Sequence, residues 1–330
     1  MTKLNSLQYK NMQSLHISDD LSLSILNNNE AFEQLIKDFT SKYSFKNLNT
    51  FSFDNDGFLG LLLQLSKKGT IAISVGETHA LIQAAKSFEE LGFSLVWISL
   101  QKDGKVNLDE LKTSNIDFLF LSSYVIDTFV KTNLEEVRTL TNAKIISNAS
   151  ANFHNYSDVI YFDSYKLTGF NTAGVILFKD DLFDEQSIGF INTIAIYSIF
   201  EALKNQVFEN SIQQIFKEKL QKAFGDDIYF FVNSDDTLDY TLHFALKNIK
   251  AREMIRTLAL DEIHITNGEG CSLGLSKPSR VIQAMGYDEL TSRNALSLTF
   301  IEKLSVEQIE KIVNIMAKKY RQIKVLNQGN

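Results

Sequence analysis

Three side chains in this sequence belong to reactive residue types and lie in segments that favour exposure to a ligand. Lys166 is flanked by aromatic and apolar residues in the polar, glycine-containing segment 163–174. Burial lowers the pKa of a lysine, and a neutral amine can form a Schiff base with a carbonyl compound. Cys271 lies between glycines in a polar loop, which favours an accessible thiol. His79 follows a predicted strand in the first turn of a helix, where open α/β sheets bind ligands.

Each of these residues also has an ordinary structural interpretation. A loop lysine is most often a solvated charge, a lone cysteine a small buried hydrophobe, and a histidine a satisfied polar group. With one cysteine in the chain, a disulfide framework and a cysteine-based zinc site are excluded. The remaining histidines show no spacing typical of metal ligands, and we assign them no role: His16, His154, His243 and His264.

The segments that would position these groups alternate between strand and helix periodicity from about residue 30 onwards. This βαβ order is typical of a mostly parallel, doubly wound α/β sheet with helices on both faces. Lys166 falls in a predicted loop between two apolar strands, and the segment 77–91 is a predicted amphipathic helix. The predicted strands of this part are 50–53, 70–75, 93–100, 116–121, 144–147, 159–162 and 174–178, and the loop with Lys166 lies between the last two.

The pattern changes after the last of these strands. Two long helices are predicted at 187–204 and 210–224, followed by smaller strand and helix units typical of a compact α+β domain. We therefore predict three parts: an N-terminal segment 1–29, a large α/β domain 30–205, and an interdomain helix with a small C-terminal domain, 206–330.

The composition restricts the classes of protein that the chain can belong to. Its 330 residues, 44% of them hydrophobic, can form one large core or two fused ones. With 33 basic against 40 acidic residues the net charge is −7, so no basic field exists to hold nucleic acid or an anionic membrane. No apolar stretch approaches the ~20 residues that span a bilayer, and the polar start lacks a secretory h-region. We expect a water-soluble, cytoplasmic globular protein.

Four segments, in the same order along the chain, resemble the cysteine desulfurase branch of the class V aminotransferase-like enzymes. Segment 263–286 is similar to that family's cysteine loop and the helix after it, and 158–166 is similar to its Schiff-base segment. Residues 77–80, together with 103–111, resemble the stretch that carries the family's ring-stacking histidine. The fourth match is to the family's Gly-Thr-x-Asn turn, at Gly189 and Asn192.

The resemblance covers the chain from about residue 50 to its end and implies a fold, a cofactor and an activity. The implied fold is that of fold-type I transferases that use pyridoxal phosphate (PLP): a large domain with a mostly parallel, seven-stranded type of sheet and a small α+β domain. In such a desulfurase Lys166 would hold PLP as an aldimine, His79 would stack on its ring, and Cys271 would take the sulfur of cysteine as a persulfide. The resemblance also implies a homodimer, a small amino-acid substrate and a sulfur-acceptor protein. The further cofactor contacts that it implies are Asn148, Ser164 and Asn55.

The sequence departs from the family at most positions that contact the cofactor or the substrate. The carboxylate on the ring nitrogen falls on Asn148, which cannot supply its charge, and the phosphate-binding Gly-Ala-Thr is replaced by the acidic segment 54–56. The serine three residues before the lysine becomes Asp163, so Asp54, Asp56 and Asp163 could all face the phosphate. The other replaced positions are Ala151, Phe190, Tyr165, Ile126 and Ala295.

Three hypotheses follow from this pattern. The first, which we adopt as the prediction because the resemblance implies it, is a PLP-dependent cysteine desulfurase that uses Lys166, His79 and Cys271. The second is a degenerate homologue that has lost PLP and acts as a non-catalytic binding protein, as the acidic replacements in the phosphate site indicate. The third is a PLP-dependent aminotransferase or lyase with another substrate.

Overall fold

The computed structural model describes residues 1–5, 30–169, 173–183, 191–269 and 277–328. Cys271, Gly189 and Phe190 lie outside the described residues. The strands of the described residues are β1 Thr2–Lys3, β2 Asn47–Phe51, β3 Ile71–Ser74, β4 Val96–Ile98, β5 Phe118–Phe120, β6 Lys144–Asn148, β7 Val159–Phe162, β8 Gly174–Phe178, β9 Ile228–Tyr229, β10 Thr241–Leu246, β11 Ile263–His264 and β12 Ala295–Thr299.

Helices connect and cover these strands. Three of them follow an Asp or Asn whose side chain accepts a backbone N–H of the first turn, as helix N-caps do: Asp54, Asn133 and Asn192. The helices are α1 Glu30–Lys42, α2 Asn55–Ser66, α3 His79–Glu90, α4 Asp109–Thr113, α5 Leu134–Leu140, α6 Ser164–Thr168, α7 Thr193–Lys204, α8 Gln213–Phe224, α9 Ala251–Ala259, α10 Arg280–Ala284, α11 Glu289–Ser292 and α12 Val306–Gln328. None of them combines the length and the apolarity that crossing a bilayer requires.

Seven strands form one sheet in the order β2-β8-β7-β6-β5-β3-β4. Only β8 runs against its neighbours, so six of the seven strands point the same way. Strands β3, β5, β7 and β8 consist of short, buried and mostly apolar runs, as expected for strands with helices on both faces. The predicted α/β fold class is confirmed, and the carboxyl ends of the six parallel strands meet at one edge.

The most important local difference from the sequence-based prediction concerns Lys166. The predicted loop after β7 contains a short helix, α6, which Asp163 caps and which ends at Gly169 with φ of 78°. Gly169 can adopt this left-handed conformation because it has no Cβ. Lys166 therefore lies on a helix whose orientation is fixed at both ends. The predicted strand 93–100 is also shorter in the structure, where β4 covers only Val96–Ile98.

A second unit is formed by the C-terminal part of the chain. Its antiparallel sheet, in the order β12-β10-β9, packs against α8, α9 and α12 around a core of its own that includes Leu242, Phe244 and Met316. The sequence-based prediction missed β1, which pairs in parallel with β11 in this unit. The predicted boundaries between the domains stay predictions.

The only tryptophan of the chain, Trp97, lies on β4, the edge strand of the large sheet. Its indole N–H donates to the carboxylate of Glu89 on α3 at 3.1 Å. The indole is thus attached to the edge of the large sheet and not to the C-terminal unit.

His243, on β10, is expected to make the protein acid-sensitive. Its side chain is 2% exposed, its Nδ1 has no hydrogen-bond partner among the described residues, and burial lowers its pKa to about 3. The unfolded chain takes up this proton near pH 6.5, but the folded protein does not, so stability is lost as pH falls from about 6.5 towards 3 at up to ~1.4 kcal/mol per pH unit. Urea unfolding at several pH values should show this loss, and His243→Leu should reduce it. The control His264→Gln should keep the pH dependence of the wild type. If His243→Leu keeps it as well, His243 is not the cause of the acid sensitivity.

Candidate functional site

A cavity of about 540 Å³ lies at the carboxyl edge of the large sheet. It forms where the segments after β2, β3 and β7 converge with the loop that follows β11. Ligand sites in open α/β sheets occur at this edge. The described residues that line the cavity are Phe53, Asp54, Asn55, Thr78, His79, Ala80, Gln83, Asp163, Tyr165, Lys166 and Glu269.

The Lys166 side chain forms an ion pair inside this cavity. Its Nζ lies 3.5 Å from Oε1 of Glu269, and the two side chains are only 13% and 11% exposed. Burial by itself lowers the pKa of the ammonium group, but the carboxylates of Glu269, Asp163 and Asp127 outweigh it and raise that pKa above its ordinary value. This result is the opposite of the sequence-based expectation. The amine is held in its protonated form, which is not nucleophilic.

Glu269 is the residue of this site that the sequence analysis missed. Its carboxylate accepts the Thr78 hydroxyl at 2.5 Å and the backbone N–H of His79 at 2.8 Å. A guanidinium nitrogen of Arg280 lies 3.8 Å away. Burial raises the pKa of this carboxyl, but Lys166 and Arg280 outweigh that effect and keep it below its ordinary value. Glu269 is therefore an anion in a site of four donors.

The chain's own carboxylates already occupy the beginnings of the three helices at the cavity. Asp54 accepts the N–H of Gly57 at 2.9 Å at the start of α2. Asp163 accepts the N–H groups of Tyr165 and Lys166 at the start of α6. At the start of α3 the Thr78 side chain accepts no backbone N–H of the helix, and the Glu269 carboxylate accepts the N–H of His79 instead. At each of these helix starts a carboxylate of the chain thus already takes a backbone donor and the place that an anionic ligand would occupy.

Asp127 anchors the main chain on either side of segment 270–276. One carboxylate oxygen accepts the N–H of Glu269 at 2.8 Å and the other accepts the Ser279 hydroxyl at 2.9 Å. A Cβ on Gly268, which has φ of 95°, would lie 2.1 Å from the same carboxylate. The close approach of this loop to the large sheet therefore requires glycine at position 268.

Glu77 follows β3 and connects it with the end of β5 and with β7. It is 2% exposed, and its carboxylate accepts the N–H and hydroxyl of Ser122 and the hydroxyl of Tyr161. Arg280 donates to the backbone carbonyls of Val75 and Glu77, so it is bound to the large sheet independently of Glu269.

The structure brings only some of the predicted site residues together. Lys166, His79 and Asn55 line one cavity. Asn148 and Ser164 are fully buried and are not among its described lining residues. The side-chain Nδ2 of Asn148, at the end of β6, has no hydrogen-bond partner among the described residues.

The acidic residues differ in part from the sequence-based expectation. Asp54 and Asp163 line the cavity, but Asp56 is not among its described lining residues and accepts the Asn55 amide instead. Glu269 takes the place of Asp56 as the third carboxylate.

These residues do not fit the phosphate of PLP. Among the described lining residues there are three carboxyl groups and one lysine, whereas a phosphate dianion requires free N–H donors and compensating positive charge. Each like-charge pair at ~4 Å costs about 1 kcal/mol in water and about 4 kcal/mol at an effective dielectric constant near 20. The one lysine of the cavity is already paired with Glu269.

Comparison with known proteins identifies the fold. No family model matches the chain, and no curated protein matches it by sequence. A solved NifS-like protein aligns with a TM-score of 0.69 at 13% identity, over 89% of this chain and 88% of that chain. SspA in complex with cysteine aligns with a TM-score of 0.69 at 14% identity, over 91% and 99% of the two chains. The apo cysteine desulfurase of Thermococcus onnurineus NA1 aligns with a TM-score of 0.64 at 14% identity, over 91% and 84%.

Identities this low establish the fold alone. They agree with the resemblance noted in the sequence. The chain has the fold of NifS-like cysteine desulfurases.

Proposed function

We propose that this protein is a non-catalytic binding protein with a cysteine desulfurase fold that does not bind PLP. The observation that carries the proposal is the occupation of the cavity by the chain's own charges. Glu269 neutralises Lys166, and a carboxylate of the chain accepts a backbone N–H at the beginning of each of α2, α3 and α6. A fold supports a function only through its site. In its described residues this site presents carboxylates where the phosphate of PLP requires free N–H donors and uncompensated positive charge.

The ion pair also assigns a structural role to the residue that a PLP enzyme needs as a nucleophile. A protonated lysine with a raised pKa reacts slowly with an aldehyde. Its contact with Glu269 connects the large sheet to the loop after β11. We infer that the lysine persists in this chain because it holds these two parts together.

Titration with PLP tests the proposal directly. We expect the purified protein to show no saturable visible absorbance band as PLP is added up to millimolar concentration. The control is Lys166→Ala, which should give the same spectrum as the wild type. A saturable band in the wild type that Lys166→Ala abolishes would contradict the proposal.

A PLP-dependent cysteine desulfurase is the second candidate. The fold favours it, and so does the meeting of Lys166 and His79 in one cavity. Sulfide release from cysteine that is lost in Cys271→Ser would support it, and it would also exclude an aminotransferase or lyase. The homodimer, the sulfur-acceptor protein and the cytoplasmic location stay predictions.

A further inference from the structure

The carboxylate of Glu269 is bound in the way that proteins bind a separate anionic ligand. Oε1 faces the Thr78 hydroxyl at 2.5 Å and the Lys166 ammonium at 3.5 Å. Oε2 faces the His79 N–H at 2.8 Å and the Arg280 guanidinium at 3.8 Å. Each oxygen thus has one neutral donor and one cation, a set that complements a carboxylate.

The four donors are held in place by contacts other than those to Glu269. Arg280 is anchored by the carbonyls of Val75 and Glu77. Lys166 is on α6, which Asp163 caps. Thr78 and the His79 N–H belong to the start of α3, a helix of 12 residues. The donor set should therefore survive the removal of the Glu269 carboxylate.

The main chain of Glu269 is likewise held without its side chain. Its N–H donates to Asp127, and Gly268 packs directly against the same carboxylate. Shortening the side chain should leave the loop in place and open the donor set to the cavity, since Thr78, His79, Lys166 and Glu269 all line it.

We propose that Thr78, the His79 N–H, Lys166 and Arg280 form a binding site for a small carboxylate, which Glu269 occupies as a tethered ligand. The inference rests on the proposed function, because a bound cofactor would claim Lys166. In the wild type a free carboxylate competes with a tethered one whose effective concentration is in the millimolar range or above. Displacement of Glu269 would break its side-chain contacts with α3, Lys166 and Arg280, while Asp127 keeps the main chain of the loop after β11 in place.

Chemical rescue with formate tests this site. In Glu269→Ala we expect the Tm to rise with sodium formate and to saturate, relative to sodium chloride at equal ionic strength. The wild type should show no such rise, and neither should the exposed-residue control Glu289→Ala. The double variant Lys166→Met/Glu269→Ala should lose the effect, because it lacks the cation nearest to the ligand. The amide signal of His79 should shift with formate in Glu269→Ala alone.

Each outcome decides the question. Equal stabilisation of wild type and Glu269→Ala, or no formate effect in Glu269→Ala, would overturn the site. If Glu269→Ala is only partly folded, its folded fraction at fixed temperature replaces the Tm and should rise with formate, and an unchanged fraction would contradict the site. All measurements are made without PLP. A visible band with PLP in the wild type would therefore contradict the proposed function while leaving the formate result to be judged separately.

Discussion

Lys166→Met is expected to lower the free energy of unfolding by about 3 kcal/mol. The substitution preserves apolar volume but leaves the buried carboxylate of Glu269 without its nearest cation. Glu269→Gln should cost a similar amount, since it leaves the Lys166 ammonium buried without its anion. The double variant should cost less than the sum of the two, with a coupling energy of about 1–3 kcal/mol. Urea unfolding of the wild type, the two single variants and the double variant completes this double-mutant cycle and measures the coupling energy.

The matched control for this cycle is the exposed pair of Lys204 and Glu201. Their side chains are 46% and 36% exposed, so the same cycle there should give less than about 0.5 kcal/mol despite a separation of 2.8 Å. The coupling of the buried pair should also depend on pH. The lowered pKa of Glu269 adds stability that is lost as pH falls through that pKa, and the raised pKa of Lys166 adds stability that is lost as pH rises through its own. Equal coupling in the two pairs would refute a structural role for Lys166.

Gly57→Ala is expected to lower the free energy of unfolding as much as Lys166→Met, for a steric reason. A Cβ at position 57, in the first turn of α2, would lie 1.9 Å from the backbone oxygen of Ser52. Backbone atoms cannot move aside as a flexible side chain can, so the start of α2 must shift away from the end of β2. We expect a loss of about 3 kcal/mol in urea unfolding.

Gly60→Ala provides the control within the same helix. A Cβ at Gly60 has no atom within 4 Å, and alanine favours a helix interior over glycine by about 1 kcal/mol. The two variants add the same methyl group to the same helix and should change stability in opposite directions. A similar change in both would show that the close approach at Gly57 does not constrain the fold.

The sequence predicted the large sheet well because its strands are short, apolar and separated by amphipathic helices. It also predicted the place of His79, which is the first residue of α3. It failed on α6, although an Asp N-cap and a terminal glycine were present, because five residues are too few to show helical periodicity.

Glu269 could not be found in the same way. Its partners Thr78 and Lys166 lie far from it along the chain, and only the packing of the two units brings them together. The resemblance of the surrounding segment to the family's cysteine loop points to Cys271 and not to Glu269. A carboxylate between two glycines in a loop facing a predicted site was the one available signal.

The position of Trp97 determines what an unfolding experiment on this protein will report. Its fluorescence reports the unfolding of the edge of the large sheet at β4, where the indole contacts Glu89. The C-terminal unit, which carries Glu269 and His243, has a separate core and contains no indole. Emission intensity alone would therefore miss an early loosening of that unit, and far-ultraviolet circular dichroism recorded alongside it would expose two transitions in place of one.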